Sequence, residues 1–178
     1  MKEVRILDKD FELFIDADTI QESIKRIAVD INNDLEGKNP IFVAILNGSF
    51  MFAGDLMKHV TVPSEITFVR ISSYKGVKST KNIKEIIGLN EAIKDRTVVI
   101  LEDIVDTGNT IERLLDQFKV YKPKEIKVAT LLFKPKALIK DVKPDYVAMD
   151  IPNDFIVGYG LDYDGYGRNL RDIYIIKE

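Results

Sequence analysis

The stretch VVILEDIVDTGNT at residues 98–110 places a buried strand, a polar turn and the start of a helix directly one after another. Its first four residues are apolar and mostly β-branched, which predicts a strand buried on both faces of a parallel sheet. Two adjacent carboxylates, Glu102 and Asp103, follow this run, and a third, Asp106, comes three residues later. Apolar residues then recur at helical spacing from Ile111 to Phe118, so a helix follows the turn.

This order of elements predicts a binding site for a sugar phosphate. Ligands of open α/β sheets bind beyond the carboxyl ends of the strands, and backbone N–H groups at a helix N-terminus hold phosphate. Carboxylates beside that phosphate would repel it unless Mg²⁺ or the hydroxyl groups of a sugar neutralise them. Taken singly, the acidic strand end and the Asp-Thr-Gly turn are ordinary structural features, and only their combination favours function. The phosphate turn comprises Thr107, Gly108, Asn109 and Thr110.

Two other phosphate-binding motifs are excluded. A P-loop needs two glycines separated by four residues and followed by Lys and then Ser or Thr, and the sequence contains no such run. Residues 158–163 begin like the glycine-rich fingerprint of dinucleotide-binding proteins, but they lack its last glycine and open no convincing helix. The phosphate turn is therefore of a different kind from either of these motifs.

The composition indicates one globular domain spanning residues 1–178, with 46% hydrophobic and 31% charged residues. A formal net charge of -3 gives no electrostatic footprint for nucleic acid, so we expect no nucleic-acid partner. The absence of cysteine excludes disulfides and thiolate chemistry. No apolar run reaches the length of a membrane span, and the first residues contain no signal-peptide core, so we expect a cytoplasmic protein without membrane contact.

Strand-like and helix-like patterns alternate along the chain, which predicts an α/β fold with a mostly parallel central sheet flanked by helices. An apolar stripe from Ile20 to Leu35 predicts a first helix, capped by Asp18 and ended by Gly37. A second helix is expected over about 50–58, and residues 74–84, which keep no apolar period, are the best candidate for a mobile loop. Strands are predicted at 11–15, 41–46, 66–71, 86–89, 98–101, 126–132 and 146–149.

Residues 102–110 resemble the phosphoribosyl-pyrophosphate motif of the type I phosphoribosyltransferases. The resemblance runs from about residue 10 onward, and it implies the type I phosphoribosyltransferase fold. In that fold, segments at about 1–16 and 152–178 would form a small strand-rich hood over the sheet edge. Further segments resemble the purine-salvage branch, the hypoxanthine or hypoxanthine-guanine phosphoribosyltransferases: residues 46–52, 72–74, 131–134 and 154–163, together with Arg168.

The resemblance implies an enzyme of purine salvage. The reaction would transfer ribose 5-phosphate from phosphoribosyl pyrophosphate to N9 of a 6-oxopurine base, hypoxanthine or guanine, giving IMP or GMP and pyrophosphate. Its transition state would resemble an oxocarbenium ion, as in glycoside chemistry. The family also implies Mg²⁺ as a cofactor and self-association as a dimer or tetramer. The sequence does not fix the preference among hypoxanthine, guanine and xanthine.

By the same resemblance, the phosphate turn would bind the 5-phosphate. Glu102 and Asp103 would contact the ribose hydroxyls and Mg²⁺, and Asp162 would contact a second Mg²⁺ on the pyrophosphate side. Arg168 would reach the pyrophosphate, because a fixed cationic fork suits phosphate oxygens. Two alternatives stay open, since Asp162 also suits a hairpin turn and Arg168 also suits an exposed surface position.

The purine base would be bound by four residues. Asp106 would accept a proton from the purine near N7, and Lys134 would donate to the 6-oxygen and stabilise the anionic base. Phe155 would stack on the purine ring, while Ile156 would supply backbone groups to its edge. The alternatives are a core position for Phe155, since most aromatic side chains are buried, and a solvated strand end for Lys134.

The remaining predicted site residues would contact pyrophosphate and close the site. The family has a cis peptide bond, here between Leu46 and Asn47, so Asn47 and Gly48 would meet pyrophosphate through the backbone. Many members carry Lys at the position of Asn47, so this chain lacks a cation there. Ser73 and Tyr74 would open a loop that closes over the site and excludes water.

Two other functions remain open on the sequence alone. A regulatory protein would use the same fold to sense phosphoribosyl pyrophosphate and bind RNA, as in the pyrimidine-operon attenuators that resemble this superfamily. The net acidity of the chain is unfavourable for that function. An inactive scaffold fits poorly with the intact carboxylates of Glu102, Asp103 and Asp106.

Overall fold

The computed structural model describes residues 2–73, 84–87, 89 and 92–177, of which residues 72, 73 and 84–87 are described by their backbone alone. The predicted loop at 74–84 lies outside the described residues, apart from Lys84, the first residue of β5. The elements in chain order are β1 (Glu3–Ile6), β2 (Lys9–Ile15), α1 (Ala17–Leu35), β3 (Ile41–Leu46), α2 (Phe50–Met57), β4 (Glu65–Ser73), β5 (Lys84–Ile87), β6 (Thr97–Val105), α3 (Asn109–Lys119), β7 (Glu125–Phe133), β8 (Tyr146–Asp150), β9 (Ile156–Val157) and β10 (Ile173–Ile176).

Within the described residues, β3 to β8 form a six-stranded central sheet in the order β5-β4-β3-β6-β7-β8. All neighbouring strands of this sheet pair in parallel except the outermost strand β5, which pairs antiparallel with β4. Strands β3 and β6 begin as continuous buried runs because helices cover both faces of the sheet. The predicted α/β fold with a mostly parallel central sheet flanked by helices is confirmed.

Two hydrophobic clusters hold the helices against the sheet. On one face, the buried stripes of α1 and α2 pack against alternate residues of β3, β6 and β7. On the other face, Ile111, Leu114 and Phe118 of α3 pack against Val43 and Ile100. Each such side chain contributes about 1.5–3 kcal/mol through burial, so the strand ends are fixed firmly in place. None of the helices in the described part of the chain has the length and apolar character needed to span a membrane.

A second, antiparallel sheet forms the hood, in the strand order β1-β2-β10-β9. Strand β10 lies between β2 and β9, so the hood joins residues 3–15 to residues 156–176. These ranges agree with the strand-rich hood that the sequence predicted. The hood has a small buried cluster of its own, made of Ile6, Phe11, Val157 and Tyr174.

Strand β6 extends to Val105, four residues beyond its predicted end at Leu101. Glu102 therefore lies inside the strand, where it pairs with Thr130 of β7. The prediction ended the strand too early because it took the first carboxylate as the end of the strand, whereas the ladder to β7 continues past it. The carboxylates thus have backbone positions that the sheet fixes.

Helix α1 begins at Ala17, so its N-cap is Asp16 and the predicted cap at Asp18 is wrong. The side chain of Asp16 accepts a hydrogen bond from the backbone N of Thr19 at 2.8 Å, which satisfies one of the free N–H groups at the start of the helix. Gly37 follows the helix with a φ of 72°. This left-handed conformation agrees with the predicted glycine stop.

Candidate active site

The carboxyl ends of β3, β6 and β7 lie side by side at one edge of the central sheet, because these strands are parallel neighbours. Asn47 and Gly48 follow β3, and Lys134 follows β7. Residues 102–107 end β6 and open the turn before α3. The structure therefore brings together, at one edge, most of the residues that the sequence assigned to a single site.

The phosphate turn has a backbone that suits glycine at its centre. Gly108, the N-cap of α3, has a φ of 83°, and a Cβ built there would lie 2.9 Å from Leu138 Cδ1 and 3.0 Å from Lys140 Cβ. The hydroxyl oxygen of Thr107 accepts a hydrogen bond from Asn109 Nδ2 at 2.9 Å. The backbone N of Asn109 also donates to the hydroxyl oxygen of Thr107, at 3.4 Å. The N-cap residue itself provides no side-chain hydrogen bond, so the N–H groups of Thr110 and Ile111 are the ones available to an anion.

A cavity of about 170 Å³ opens over the phosphate turn. The carbonyl oxygen of Thr107 accepts a hydrogen bond from the backbone N of Ile139 at 3.1 Å, which fixes the turn. Backbone N–H groups and a Thr hydroxyl at a helix N-terminus suit this cavity to a phosphate group. The cavity is lined by Ile104, Val105, Asp106, Thr107, Gly108, Thr110 and Ile111.

Glu102 and Asp103 form a carboxylate pair beside the turn. Burial, together with the charge of Asp103, raises the pKa of Glu102 well above its ordinary value. Burial also raises the pKa of Asp103, although a hydrogen bond from the backbone N of Ile104 at 2.8 Å opposes that shift. Each of the two carboxyl groups influences the pKa of the other. Ionisation of both groups would place two negative charges side by side in a buried position, and a bound cation would favour that ionised state.

The carboxylate pair fits the predicted Mg²⁺. Within the described residues, no group of three or more acidic or histidine side chains surrounds a common point, so this part of the protein offers no complete cage for a cation. Magnesium usually takes one or two carboxylates and completes its shell with water and substrate phosphates. Glu102 and Asp103 supply that donor set, and the binding of the ion stays a prediction.

The loop after β3 packs tightly against the carboxylate pair. The peptide bond between Leu46 and Asn47 is cis, as predicted. The backbone of Gly48 lies directly against the side chain of Asp103 and leaves no room for a Cβ. Ser49 is buried, and its Oγ donates a hydrogen bond to a β3 carbonyl four residues earlier at 2.7 Å, which closes the loop.

Lys134 is a buried cation where the central sheet meets the hood. Its Nζ donates to the carbonyl oxygen of Asp154 at 2.9 Å and lies 3.6 Å from Oδ2 of Asp106. Its backbone N donates to the carbonyl of Val105 at 2.9 Å, which continues the contact between β6 and β7. The burial of Lys134 contradicts the alternative of a solvated strand end, while the half-exposed Asp106 remains accessible to a ligand.

Phe155 is 45% exposed and packs against two aromatic rings of the hood. Its ring centroid lies 6.2 Å from that of Phe11 and 5.9 Å from that of Tyr163, the latter ring standing at 83° to it. Its exposure contradicts the alternative of a core position and leaves ring surface for a flat ligand. The neighbouring residue, Ile156, begins β9 and is buried.

Arg168 and Asp162 form an ion pair in the segment after β9. Arg168 Nη2 lies 2.6 Å from Asp162 Oδ1, and Arg168 Nη1 donates to the carbonyl of Gly160 at 2.7 Å. The other carboxylate oxygen of Asp162 accepts from the backbone N of Gly165 at 2.7 Å. This geometry matches the alternative of Asp162 as a turn residue, and its role toward a metal stays a prediction. The paired, half-buried Arg168 is not a freely solvated surface side chain.

Of the site residues predicted from the sequence, one is described by its backbone alone and one lies outside the described residues; two contacts of the site were missed. Ser73 ends β4 at the same sheet edge with its backbone alone described, and Tyr74 lies outside the described residues. The sequence did not indicate the carbonyl of Asp154 as a partner of Lys134. It also missed Gly160, although the glycines of the rejected fingerprint were a signal for close backbone approach.

Residues 16–164 match the family described as the phosphoribosyl transferase domain. Over 177 residues the chain is 40% identical to the hypoxanthine-guanine phosphoribosyltransferase of Streptococcus pneumoniae, with 97% of each chain covered. This chain belongs to the hypoxanthine-guanine phosphoribosyltransferase family.

Solved structures of hypoxanthine-guanine phosphoribosyltransferases share the fold. One from Bacillus anthracis, with a HEPES molecule in its active site, has a TM-score of 0.85 at 36% sequence identity and covers 93% of this chain and 98% of that one. A hypoxanthine phosphoribosyltransferase of Trypanosoma cruzi has a TM-score of 0.85 at 31% identity and covers 98% and 95%. Membership of the hypoxanthine-guanine phosphoribosyltransferase family confirms the resemblance seen in residues 102–110 and the purine-site segments. It favours the enzyme over the RNA-binding alternative.

Proposed function

We propose that this protein transfers the 5-phosphoribosyl group of phosphoribosyl pyrophosphate to N9 of hypoxanthine or guanine and releases pyrophosphate. One observation carries the proposal. The phosphate turn, the carboxylate pair and the buried Lys134 lie at one sheet edge, next to the exposed ring of Phe155. Together they provide separate binding groups for a phosphate, a ribose and a flat base. The names of the relatives agree with this activity.

The phosphate turn would hold the 5-phosphate and thereby fix the ribose at the sheet edge. Gly108 lets the backbone approach the phosphate, and N–H groups at the start of α3 donate to its oxygens. With the base held separately, the reacting atoms become part of one complex. Such positioning removes much of the entropy cost of bringing two substrates together.

The carboxylate pair would face the ribose. As pyrophosphate leaves C1, positive charge develops on the ribose ring in an oxocarbenium-like transition state. With Mg²⁺ bound, Glu102 and Asp103 would be ionised, and their negative charge would favour that change, because preorganised charges stabilise the charge that develops in a transition state. Their oxygens also accept hydrogen bonds from ribose hydroxyl groups.

Glu102 and Asp103 are also the residues that would hold Mg²⁺, with Asp162 as a further ligand on the pyrophosphate side. When bound, the ion would neutralise charge on the departing pyrophosphate. Asp162 already has partners at both oxygens, in Arg168 and Gly165. Each oxygen keeps a second lone pair, so Asp162 could contact a metal ion while its ion pair with Arg168 stays in place.

Lys134 and Asp106 would orient the base and manage its proton. Lys134 Nζ donates one hydrogen bond to Asp154, so two further N–H donors remain for the 6-oxygen of the purine. Asp106 would take the proton from N7 while N9 forms its bond to C1 and the bond from C1 to the pyrophosphate oxygen breaks. Phe155 would stack on the ring, and backbone groups of Ile156 would meet its edge.

Pyrophosphate would lie between the loop after β3 and Arg168. Asn47 and Gly48 would contribute backbone groups, since this chain has no lysine at position 47. Arg168 would add a guanidinium fork, which suits phosphate oxygens. Ser73 and Tyr74 would open the loop that closes over the substrates and excludes water.

A cytoplasmic location and self-association as a dimer or tetramer are part of the same proposal. Strand β4 leaves two large apolar side chains, Ile66 and Phe68, 37% and 44% exposed. They are two residues apart and so lie on one face of the sheet. Neighbouring apolar side chains left open to water favour contact with another protein surface. Light scattering on the purified protein measures the mass, and a monomer would contradict self-association.

The activity is tested by pyrophosphate release from phosphoribosyl pyrophosphate and Mg²⁺, with hypoxanthine, guanine, xanthine, adenine and uracil offered separately. We expect turnover with hypoxanthine or guanine, and none with adenine or uracil, because Lys134 needs a 6-oxygen acceptor. The same series ranks the accepted bases. Turnover with uracil alone, or no turnover with any of the bases, would overturn the proposal and favour the RNA-binding regulator, for which a gel shift at low salt is the direct assay.

A further inference from the structure

The segment Gly158–Tyr159–Gly160 has three successive residues with positive φ, at 104°, 48° and 99°. Glycine adopts this conformation at no steric cost, but a tyrosine does not. Tyr159 is nevertheless buried, with 2% of its surface exposed. Its backbone N donates to the carbonyl of Leu170 at 2.8 Å, and contacts of the buried side chain add to what holds this unfavourable conformation.

Those contacts come from two helices on one face of the central sheet. The hydroxyl of Tyr159 donates a short hydrogen bond to Oδ2 of Asp55 on α2. Gln21 Nε2, on α1, donates to the same oxygen at 2.6 Å, and Lys58 Nζ lies 2.6 Å from the other carboxylate oxygen. Burial raises the pKa of Tyr159, and the neighbouring Asp55 raises it further, so the phenol stays protonated and keeps donating.

Asp55 accepts this hydrogen bond as an ionised carboxylate. Burial acts to raise its pKa, but the donors Lys58, Tyr159 and Gln21 outweigh burial and lower the pKa of Asp55 below its ordinary value. A charged acceptor makes the hydrogen bond from Tyr159 stronger than one between neutral groups. The proposed reaction uses none of these side chains directly.

The next residue, Gly160, connects this anchor to the pyrophosphate side of the site. A Cβ built on Gly160 would lie 2.1 Å from the carbonyl oxygen of Gly48, so the two backbones are in close contact. The carbonyl of Gly160 accepts from Arg168 Nη1 at 2.7 Å, and its N donates to the carbonyl of Arg168 at 3.0 Å. Asp55 lies on α2, the helix that begins directly after the loop of Gly48.

We propose that Tyr159 is a positioning residue for pyrophosphate, acting through Gly160 on Arg168 and on the loop at Gly48. Its hydroxyl, bound to Asp55, holds residues 158–160 against the helix that follows that loop. The two groups assigned to pyrophosphate thereby keep a fixed separation. This inference rests on the proposed function, because it needs pyrophosphate to lie between those groups.

The test measures the binding of two probes separately. Calorimetry gives the Kd of inorganic pyrophosphate with Mg²⁺ and the Kd of IMP, for the wild type and for Tyr159→Phe. We expect the variant to bind pyrophosphate at least fivefold more weakly and IMP within twofold of the wild type. The phosphate turn, Lys134 and Phe155 have no contact with the lost hydroxyl. In kinetics, KM for phosphoribosyl pyrophosphate should rise while KM for hypoxanthine stays constant.

The matched control is Tyr146→Phe. Like Tyr159, Tyr146 is buried and its hydroxyl donates to an aspartate on a helix, in this case Asp34 of α1 at 2.9 Å. Tyr146 begins β8, the outermost strand beside β7, and its hydroxyl contacts α1 and not the segment of Gly160. This variant loses a hydrogen bond of the same kind, so we expect both Kd values to stay within twofold of the wild type.

A second pair of variants keeps the test independent of the folding of Tyr159→Phe. Asp55→Asn retains an oxygen that accepts from the tyrosine, whereas Asp55→Ala removes it. Asparagine should therefore restore most of the pyrophosphate affinity that alanine loses. Equal loss in both variants would contradict a role for the hydrogen bond.

The outcomes separate this inference from the proposed function. A wild type that binds neither probe overturns the function and the inference together. A wild type that binds both, with Tyr159→Phe unchanged or weakened equally for both, overturns the positioning role alone. A selective loss of pyrophosphate affinity in Tyr146→Phe as well would overturn it too, because the effect would then not depend on the contact with Gly160.

Discussion

The backbone of Gly48 and the carboxylate of Asp103 are in such close contact that a Cβ at residue 48 would fall 1.5 Å from Oδ2. Gly48→Ala must therefore displace either the carboxylate or the loop after β3. We expect kcat/KM for phosphoribosyl pyrophosphate to fall at least about 100-fold, equivalent to about 2.7 kcal/mol of transition-state stabilisation. Steady-state kinetics at saturating hypoxanthine measures this loss.

Gly54→Ala is the control for that substitution. Gly54 lies in α2, six residues further along, and a Cβ there would meet no atom within 4 Å. Alanine inside a helix is more stable than glycine by about 0.5–1 kcal/mol, so this variant should melt slightly higher with unchanged kinetics. Equal kinetics for Gly48→Ala and the wild type would show that the contact with Asp103 is unimportant for turnover.

Asp106→Asn should reduce kcat far more than it weakens substrate binding. Asparagine keeps the shape and much of the hydrogen bonding beside Lys134 but cannot accept the purine proton. The expected loss is about 10²–10⁴-fold in kcat, the usual contribution of a general base. Rapid-quench kinetics with hypoxanthine measures the chemical step directly. An unchanged kcat would remove Asp106 from the role of base.

The carboxylate pair predicts an unusual dependence of stability on pH. The pKa of Glu102 is raised in the folded protein above its ordinary value of 4.5, so between these two values the folded state binds the proton that the unfolded state has lost. The free energy of unfolding therefore falls as pH rises from about 4.5 through the folded pKa. Without Mg²⁺ and substrate, Glu102→Gln should be more stable than the wild type at pH 8, and the difference should shrink toward pH 4.

Thermal melts across that pH range measure the effect. A gain of about 1 kcal/mol would raise the Tm by about 2–4 °C for a domain of this size. The control is Glu22→Gln, which changes an exposed glutamate on α1 and should leave the pH profile unaltered. If the difference in Tm between Glu102→Gln and the wild type is the same at every pH, the raised pKa of Glu102 is disproved.

Asn47→Lys should increase the affinity of the protein for the pyrophosphate group. Asn47 is exposed at the end of β3, so a longer side chain fits, and its ammonium group would add the cation that many members of the family have. We expect KM for phosphoribosyl pyrophosphate to fall several-fold, with a stronger dependence on salt. Asn47→Met controls for side-chain length without charge. No improvement in the lysine variant would count against the idea that this chain relies on backbone groups.

The sequence predicted features that local patterns determine. The buried runs of β3 and β6, the apolar stripe of α1 and the glycine at the phosphate turn each follow from spacing or from a required backbone conformation. The end of β6 was predicted wrongly because Glu102 is kept in the strand by pairing with β7, which local polarity does not reveal. The N-cap of α1 is Asp16 and not the predicted Asp18 for a similar reason, since the choice among nearby aspartates depends on where the chain turns.

Contacts between distant parts of the chain could not be predicted from the sequence. The hydroxyl of Tyr159 meets Asp55 across more than a hundred residues, and Lys134 meets the carbonyl of Asp154 in the hood. Hydrogen bonds of this kind leave no period in the sequence. The exposure of Phe155 is similar, because it depends on how the hood lies beside the sheet edge.

Strand β10 lies between β2 and β9, so residues 173–176 hold the hood together although they come after every other strand in the chain. A growing polypeptide on the ribosome can complete the central sheet and the phosphate turn while Phe155 still lacks the strand that organises its surroundings. We therefore expect the surroundings of Phe155 to be completed last, after the phosphate turn, Asp106 and Lys134 have been synthesised. An unfinished chain would then lack the ordered aromatic surface that the base is proposed to stack on.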